Sequence, residues 1–386
     1  VNTSKKGVSN MEIYFDNSAT TKPYDEVIEE TCQAMKEYYG NPSSLHNIGL
    51  KCEKRLNEAR EYFASTIKAD KDEIYFTSGG SEGNNFVLKG LLKPGHHLIT
   101  TAYEHQSVLD TCKVLENNGV KVTYLPVDKA GRISLGDLDE AITKDTVLVS
   151  IMHINNEVGT IQDLEAVGKI IKSRSSRAKF HVDGVQSYGK ISVDVKKMNI
   201  DYFTAASHKI HGPKGTGFVY IKKGAVINSL ISGGSQERGF RAGTQNLPSI
   251  IGFEKAAKMT FNKIDENYNS ALAIKKYMIE RLQEIKDIRI NSPLEDDFSP
   301  YILNVSFIGA RAEVLLHLLE DAKIYVATGS ACTSKSSAAS GSYVIKALGL
   351  NNKEVESAIR FSFDHNNTKE EVDKTIEVLK TSLMFL

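Results

Sequence analysis

The sequence predicts an α/β protein, with a large domain built on a mostly parallel sheet between helices and a smaller α+β domain after it. Two observations predict it. From Asp72 to Ile221, short apolar runs alternate with segments of helical period, the pattern of parallel strands joined by crossover helices. After Gly243 the texture changes to one long helical stretch and then mixed strands and helices, which marks a second unit. A length of 386 residues suits one large core and one small one.

In chain order, Tyr14 to Thr21 reads as a short strand running into a polar turn. Pro23 opens a helix with Val27, Ile28, Thr31 and Met35 at helical spacing, and Leu50 to Thr66 is a second amphipathic helix after the loop 40–46. Strands are expected near 73–77, 97–101, 120–126, 146–152, 179–183, 200–206 and 217–221, with helices near 82–92, 105–118, 134–143 and 163–174 between the earlier ones. A helical stretch then runs from 247 to 285, followed by strands near 301–307, 324–328 and 357–363 and helices near 311–320, 341–349 and 368–384. The large domain is expected over 24–250 and the small one over 11–23 plus 251–386. Residues 1–10 are polar and Met11 resembles an initiator, so this start reads as a disordered lead or an expression remnant.

The 48 basic and 48 acidic residues cancel, so no global field draws in nucleic acid or an anionic membrane. No run approaches the roughly 18 apolar residues of a membrane span, and no signal-like segment leads the chain, which points to the cytoplasm. Cys32, Cys52, Cys112 and Cys332 show no metal-ligand spacing and no disulfide framework, so no metal is expected. The first three lie in helical patterns and read as small buried apolar side chains.

The chemistry centres on Ser207-His208-Lys209, where an apolar strand ends before a glycine- and proline-punctuated loop. A lysine on such a support suits Schiff-base formation with a carbonyl cofactor, which needs a neutral amine. With a reference pKa near ~10.4, only about one free lysine in a few thousand is neutral at pH 7, so the site must depress that value. Taken alone the triplet is an ordinary loop lysine; its company decides. Ser78-Gly79-Gly80-Ser81 after a strand and before a helix offers a phosphate cradle, or merely a tight turn. Asp183 ends another strand, where it can keep a pyridine nitrogen protonated or simply cap a helix, and Gln186 can donate to a ring hydroxyl. His105 and Asn156 each follow a further strand. One strand end after another thus carries a residue suited to one aromatic phosphate cofactor.

With these blocks in view, the chain resembles the cysteine desulfurases of the NifS/IscS type, pyridoxal-phosphate enzymes of fold type I in the class V aminotransferase family. The blocks are YFDNSATT, GNPSSLH, FTSGGSEGNN, EHQSV, MHINNEVGTIQ, HVDGVQS, SHKIHGPKG, ERGFRAGT, GSACTS and IRFSF, and the resemblance covers essentially everything after Met11. The resemblance implies pyridoxal 5'-phosphate as cofactor, with Lys209 as its Schiff-base partner, Asp183 at the pyridinium nitrogen and His105 stacked on the ring. Asn156 and Gln186 would lie near the phenolic oxygen. Gly80, Ser81, Ser207 and His208 would hold the phosphate, with Thr244 reaching it from the other subunit of a homodimer. Arg360 would clamp the substrate carboxylate with a bidentate fork that lysine lacks, although a surface ion pair is its ordinary reading.

The small polar tract 329–342 carries Cys332 and has few apolar anchors, so it reads as a mobile loop exposing its thiol. About ten residues span at most about 33 Å when extended, room enough for that thiol to leave the pocket. The resemblance implies that L-cysteine is converted to L-alanine while Cys332 takes the sulfur as a persulfide, with His105 or the substrate amine removing the thiol proton. A sulfur-acceptor protein follows, either an iron-sulfur scaffold or a tRNA-thiolation enzyme. The alternatives are a selenocysteine lyase, a class V aminotransferase, and more remotely a docking platform without enzymatic activity.

Overall fold

The computed structural model describes residues 11–329 and 341–386, so the expectations for residues 1–10 and for Cys332 lie outside the described residues. In chain order the first half comprises β1 (Ile13–Tyr14), α1 (Asp25–Glu37), α2 (Asn47–Thr66), β2 (Ile74–Thr77), α3 (Gly80–Leu91), β3 (His97–Thr101), α4 (Gln106–Asn117) and β4 (Lys121–Leu125). It continues through α5 (Leu135–Ala141), β5 (Thr146–Met152), α6 (Leu164–Arg174), β6 (Lys179–Asp183), β7 (Tyr202–Ala206) and β8 (Gly217–Ile221). Strands β2 to β8 form one seven-stranded sheet in the order β2-β8-β7-β6-β5-β3-β4. Only β8 runs against the others in it, pairing antiparallel with β7 and β2. All seven residues of β5 are buried, because helices cover both faces and leave no side for water.

The second half comprises α7 (Leu247–Phe261), α8 (Ile264–Leu282), β9 (Ile288–Ile290), β10 (Ile302–Phe307), α9 (Ala312–Asp321), β11 (Ile324–Tyr325), β12 (Ala327–Thr328), α10 (Tyr343–Ala347), α11 (Asn352–Glu356), β13 (Ala358–Ser362) and α12 (Lys369–Leu383). Here β12-β13-β10-β9 make an antiparallel sheet, and β1 pairs in parallel with β11.

Several expectations are corrected. The single helix over 247–285 breaks at Asn262–Lys263, because Phe253 and Ala257 of α7 pack into the large sheet's core while Met278 and Leu282 of α8 pack into the second core. No glycine or proline marks that break; two competing hydrophobic cores make it. Residues of α7 thus belong to the first core and residues of α8 to the second. Ile13 and Phe15 join the second core. The strand expected over 324–328 is two short pieces, because Ile324 and Tyr325 pair with β1 whereas Ala327 and Thr328 pair with β13. The first helix starts at Asp25 rather than at Pro23. Cys52 and Cys112 are buried, but Cys32 is exposed, on the solvent side of α1.

Candidate active site

The carboxyl ends of β2, β3, β5, β6 and β7 open on one edge of the large sheet, the place where open α/β sheets bind ligands. Between them lies a cleft of about 290 Å³ whose walls include His105, Asn156, Asp183, Gln186, Lys209 and Arg360, with Gly80, Ser81 and His208 at one end. The strand-end residues singled out in the sequence thus converge, although they are spread from position 80 to position 360.

Lys209 closes the one-turn helix Ser207–Lys209 that follows β7. Its Nζ donates to the carbonyl oxygens of Ser18 and Ala19, in the turn after β1. Burial, then the nearby positive charges of Arg360 and Lys190, push its pKa down to about 7. At neutral pH the amine is therefore close to half unprotonated, and the tertiary structure supplies the depression that the chemistry requires.

Asp183 is buried at the end of β6, accepting from Asn84 Nδ2 at 2.7 Å and from the Val185 N–H at 3.0 Å. His105 caps α4, its Nδ1 accepting from the Ser107 N–H at 3.1 Å, while its ring faces the cleft. Burial lowers its pKa, partly opposed by Asp183. Gln186 donates to the Ser18 carbonyl at 3.0 Å and accepts from Lys190 Nζ at 3.1 Å. Arg360, on β13, is no surface ion pair: it is 8 % exposed, donates to the Asn156 carbonyl at 2.9 Å and to Asp16 Oδ1 at 2.7 Å.

At the other end of the cleft, α3 begins with Gly80 after Gly79, whose φ of 147° is glycine territory. The first N–H groups of this helix have no carbonyl one turn earlier to bond, and its dipole favours an anion there. A hollow of about 390 Å³ shares this wall and adds Lys214, a positive charge close to the same point. His208 donates to or accepts from Thr20 Oγ1 at 3.2 Å, and burial beside Lys209 and Lys214 pushes its pKa down to about 4.

Ser207 does not reach the wall of this cleft, and Thr244, expected at the partner subunit's site, is not part of it. Ser207 is fully buried behind it, and Thr244 is exposed and lines a different hollow with Phe76 and Arg241. Sequence reasoning missed others. Ser18 and Asn84 line the cleft; Asp16 and Lys190 set its charge. Asn84 lies one helical turn after Gly80, so its spacing from the phosphate cradle is the one sequence signal for it. Behind the wall, burial pushes Glu104 up to about 8 and Glu157, which accepts from Ser342 Oγ at 2.5 Å, up to about 7.

A test of fit for the expected cofactor comes from the wall itself. Ser18 Oγ, Asn84 Oδ1, Asn156 Oδ1 and Arg360 Nε are buried and have no hydrogen-bond partner among the described residues, yet all belong to residues lining this cleft. Native proteins rarely leave such atoms unpaired, since each costs about 1–3 kcal/mol. A polar ligand in this cleft, cofactor together with substrate, fits that donor and acceptor set.

Fold and cleft together define a pyridoxal-phosphate enzyme, and residues 13–375 match the family Aminotransferase class-V; the chain belongs to that family, and pyridoxal phosphate is its cofactor. Within the family it is similar to the cysteine desulfurase IscS of Clostridium botulinum, 42 % identical over 378 residues that cover 96 % of this chain and 94 % of that protein. The cysteine desulfurase IscS of Methanosarcina thermophila is 42 % identical over 96 % of this chain and 91 % of its own. Among solved structures, a NifS-like protein superposes with a TM-score of 0.91 at 39 % identity, covering 97 % of this chain and all of that one. The apo cysteine desulfurase from Thermococcus onnurineus NA1 gives 0.86 at 28 % identity, covering 97 % of this chain and 95 % of that one.

Proposed function

We propose that the protein is a cysteine desulfurase, which removes sulfur from L-cysteine, releases L-alanine and holds the sulfur as a persulfide on Cys332. The observation that carries this reading is Lys209, an amine brought down to about pKa 7 in a cleft with Asp183, His105 and Arg360, in a chain whose similar relatives are named for that activity.

When bound, pyridoxal phosphate supplies an electron-withdrawing ring that accepts the electron pair released at the substrate's Cα. Of this chain's residues, Asp183 would hold the ring nitrogen, His105 the ring face, Asn156 and Gln186 the phenolic side, and Gly80, Ser81 and His208 the phosphate. Arg360 would take the substrate carboxylate, exchanging or sharing its contact with Asp16. Lys209 Nζ then removes the proton from Cα, a transfer its lowered pKa supports. The Cys332 thiol gives up its proton, to His105 or the substrate amine, and its sulfur bonds to the substrate sulfur. As that bond forms, the substrate's Cβ–S bond breaks and its electron pair stays with the three-carbon product, which is protonated and leaves as alanine.

The persulfide is then passed to an acceptor protein, an iron-sulfur scaffold or a tRNA-thiolation enzyme. The exposed position of Thr244 supports a homodimer in which Thr244 of the partner subunit completes the phosphate end. No helix of the described residues is long and apolar enough to cross a membrane, and the cytoplasm is the proposed location.

The test is a substitution at position 332. Cys332→Ala should keep the visible absorbance of the bound cofactor and lose alanine formation from L-cysteine. Undiminished alanine output from that variant would end the desulfurase reading in favour of another class V activity.

A further inference from the structure

We infer that His211, Asp364 and His365 form a binding site for one divalent transition-metal ion, at the seam where the turn after Lys209 meets the end of β13. One ligand atom from each of the three lies within 4.8 Å of the other two. This inference is independent of the desulfurase reading.

The His211 ring fixes the argument. Its Nδ1 sits 2.8 Å from the Lys22 carbonyl oxygen, which only accepts, so Nδ1 carries a proton, and in the neutral ring Nε2 presents a bare lone pair. That lone pair faces Asp364 Oδ2 at 3.5 Å, with no hydrogen bond between them. Two acceptors at this distance repel unless a proton or a metal ion lies between them, and a metal ion satisfies both where no hydrogen bond is formed. The separation is also the one a metal needs: ligands about 2.0–2.1 Å from a tetrahedral zinc ion lie roughly 3.3–3.5 Å apart. Donation from Nδ1 to a backbone carbonyl is the usual way a ligating histidine has its tautomer and orientation set.

The surroundings agree. Tyr24 stacks on the His211 ring at 4.3 Å, and the His211 N–H donates to Thr21 Oγ1 at 2.7 Å, so the ring has little freedom. His365 meets the same ring edge-on at 5.8 Å, and neither of its ring nitrogens has a hydrogen-bond partner among the described residues. This side chain is partly buried, and one of its ring nitrogens already lies within 4.8 Å of the other two ligand atoms. The three residues border a cavity of about 30 Å³, room for an ion and a water ligand. Lys190, the competing cation on this wall, donates to Gln186 and lies over the Tyr301 ring at 5.3 Å; it makes no ion pair with Asp364. Two imidazoles and one carboxylate select zinc, cobalt or nickel over calcium or magnesium, which prefer oxygen.

The ligands come from opposite sides of the seam, next in sequence to Lys209 and close to Arg360, so the ion would tie together the two elements that carry the cleft's cations. Sequence spacing could not show this, because His211 belongs to one core and Asp364-His365 to the strand end of the other.

The test uses the holoprotein, stripped of adventitious metal with a chelator and dialysed against cobalt(II) or zinc(II). Elemental analysis should find one ion per chain, and cobalt should give visible absorption outside the cofactor's band. His365→Ala, and Asp364→Asn as a variant of the same size, should each weaken binding by at least about tenfold, the scale of loss for even an outer partner of a metal ligand. Cys332→Ser should keep the ion. Equal binding by the wild type and both ligand variants, loss of the ion in Cys332→Ser, or no ion retained by the wild type would each overturn the proposal.

Discussion

A lysine with a pKa near 7 behaves differently from one near its ordinary value, and Lys209 shows the difference at a single atom. In cofactor-free protein only the neutral amine captures pyridoxal phosphate. Capture should therefore rise about tenfold per pH unit below 7 and level off above it, as followed by absorbance in a rapid mixer. A midpoint near 10 would mean that burial does not depress this amine. The same shift has a stability consequence. Between about pH 10 and 7 the unfolded chain binds a proton here that the folded chain resists, so this lysine's contribution to stability falls as pH drops through that window and is flat below it. Arg360 makes the second case. Its two amino groups serve the Asn156 carbonyl and Asp16, a fork geometry that a point charge cannot copy. Arg360→Lys should lower kcat/KM for L-cysteine by about tenfold to a hundredfold, mostly through KM, given about 1.5–3 kcal/mol for a charged hydrogen bond. An unchanged KM would place the carboxylate elsewhere.

At the scale of the element, the start of α3 is decided by what a methyl group would meet. A Cβ on Gly80 would lie 2.6 Å from Val185 Cγ2, in the segment that follows Asp183. The phosphate end and the ring-nitrogen end of the cleft are therefore packed against each other through one glycine. Gly80→Ala should fold normally and bind pyridoxal phosphate about tenfold more weakly, measured by equilibrium titration. Adding Val185→Ala should recover part of that loss, since the two sites are in contact and their effects are not additive. The same kind of reasoning explains the break between α7 and α8. Nothing local in Phe261-Asn262-Lys263 ends a helix. The turn exists because Phe253 packs on Phe63 at a ring distance of 4.5 Å in one core while Met278 is buried in the other.

For the whole molecule, Thr244 poses the sharpest question. It is exposed and away from the Lys209 cleft, which supports its assignment to the neighbouring subunit's site. Mixing Lys209→Ala chains with Thr244→Val chains tests this. If Thr244 acts across a dimer, each mixed dimer contains one site with both residues intact and recovers activity that neither variant has alone. Without recovery, Thr244 serves its own chain or none. Much of the rest was legible before folding. The alternation up to Ile221 gave the sheet, and blocks such as those around Asp183 and Lys209 gave the cleft, because strand ends in a parallel sheet share one edge. Ser18, Asn84 and Lys190 were not legible, because their roles depend on which loop lies against which strand end. The reading of Cys32 as buried failed for a related reason: helical period alone does not say which face of α1 meets the core.

The sequence by itself determined the alternation of strands and helices up to Ile221, the lysine at a strand end and the family to which the chain belongs, since these follow from local pattern and motif. Only the tertiary structure decided that the amine of Lys209 is depressed to about 7, that Arg360 is buried against Asp16, and that His211 faces Asp364. Desolvation and charge proximity depend on distances between residues far apart in the chain, and such distances exist only once both cores have closed around them.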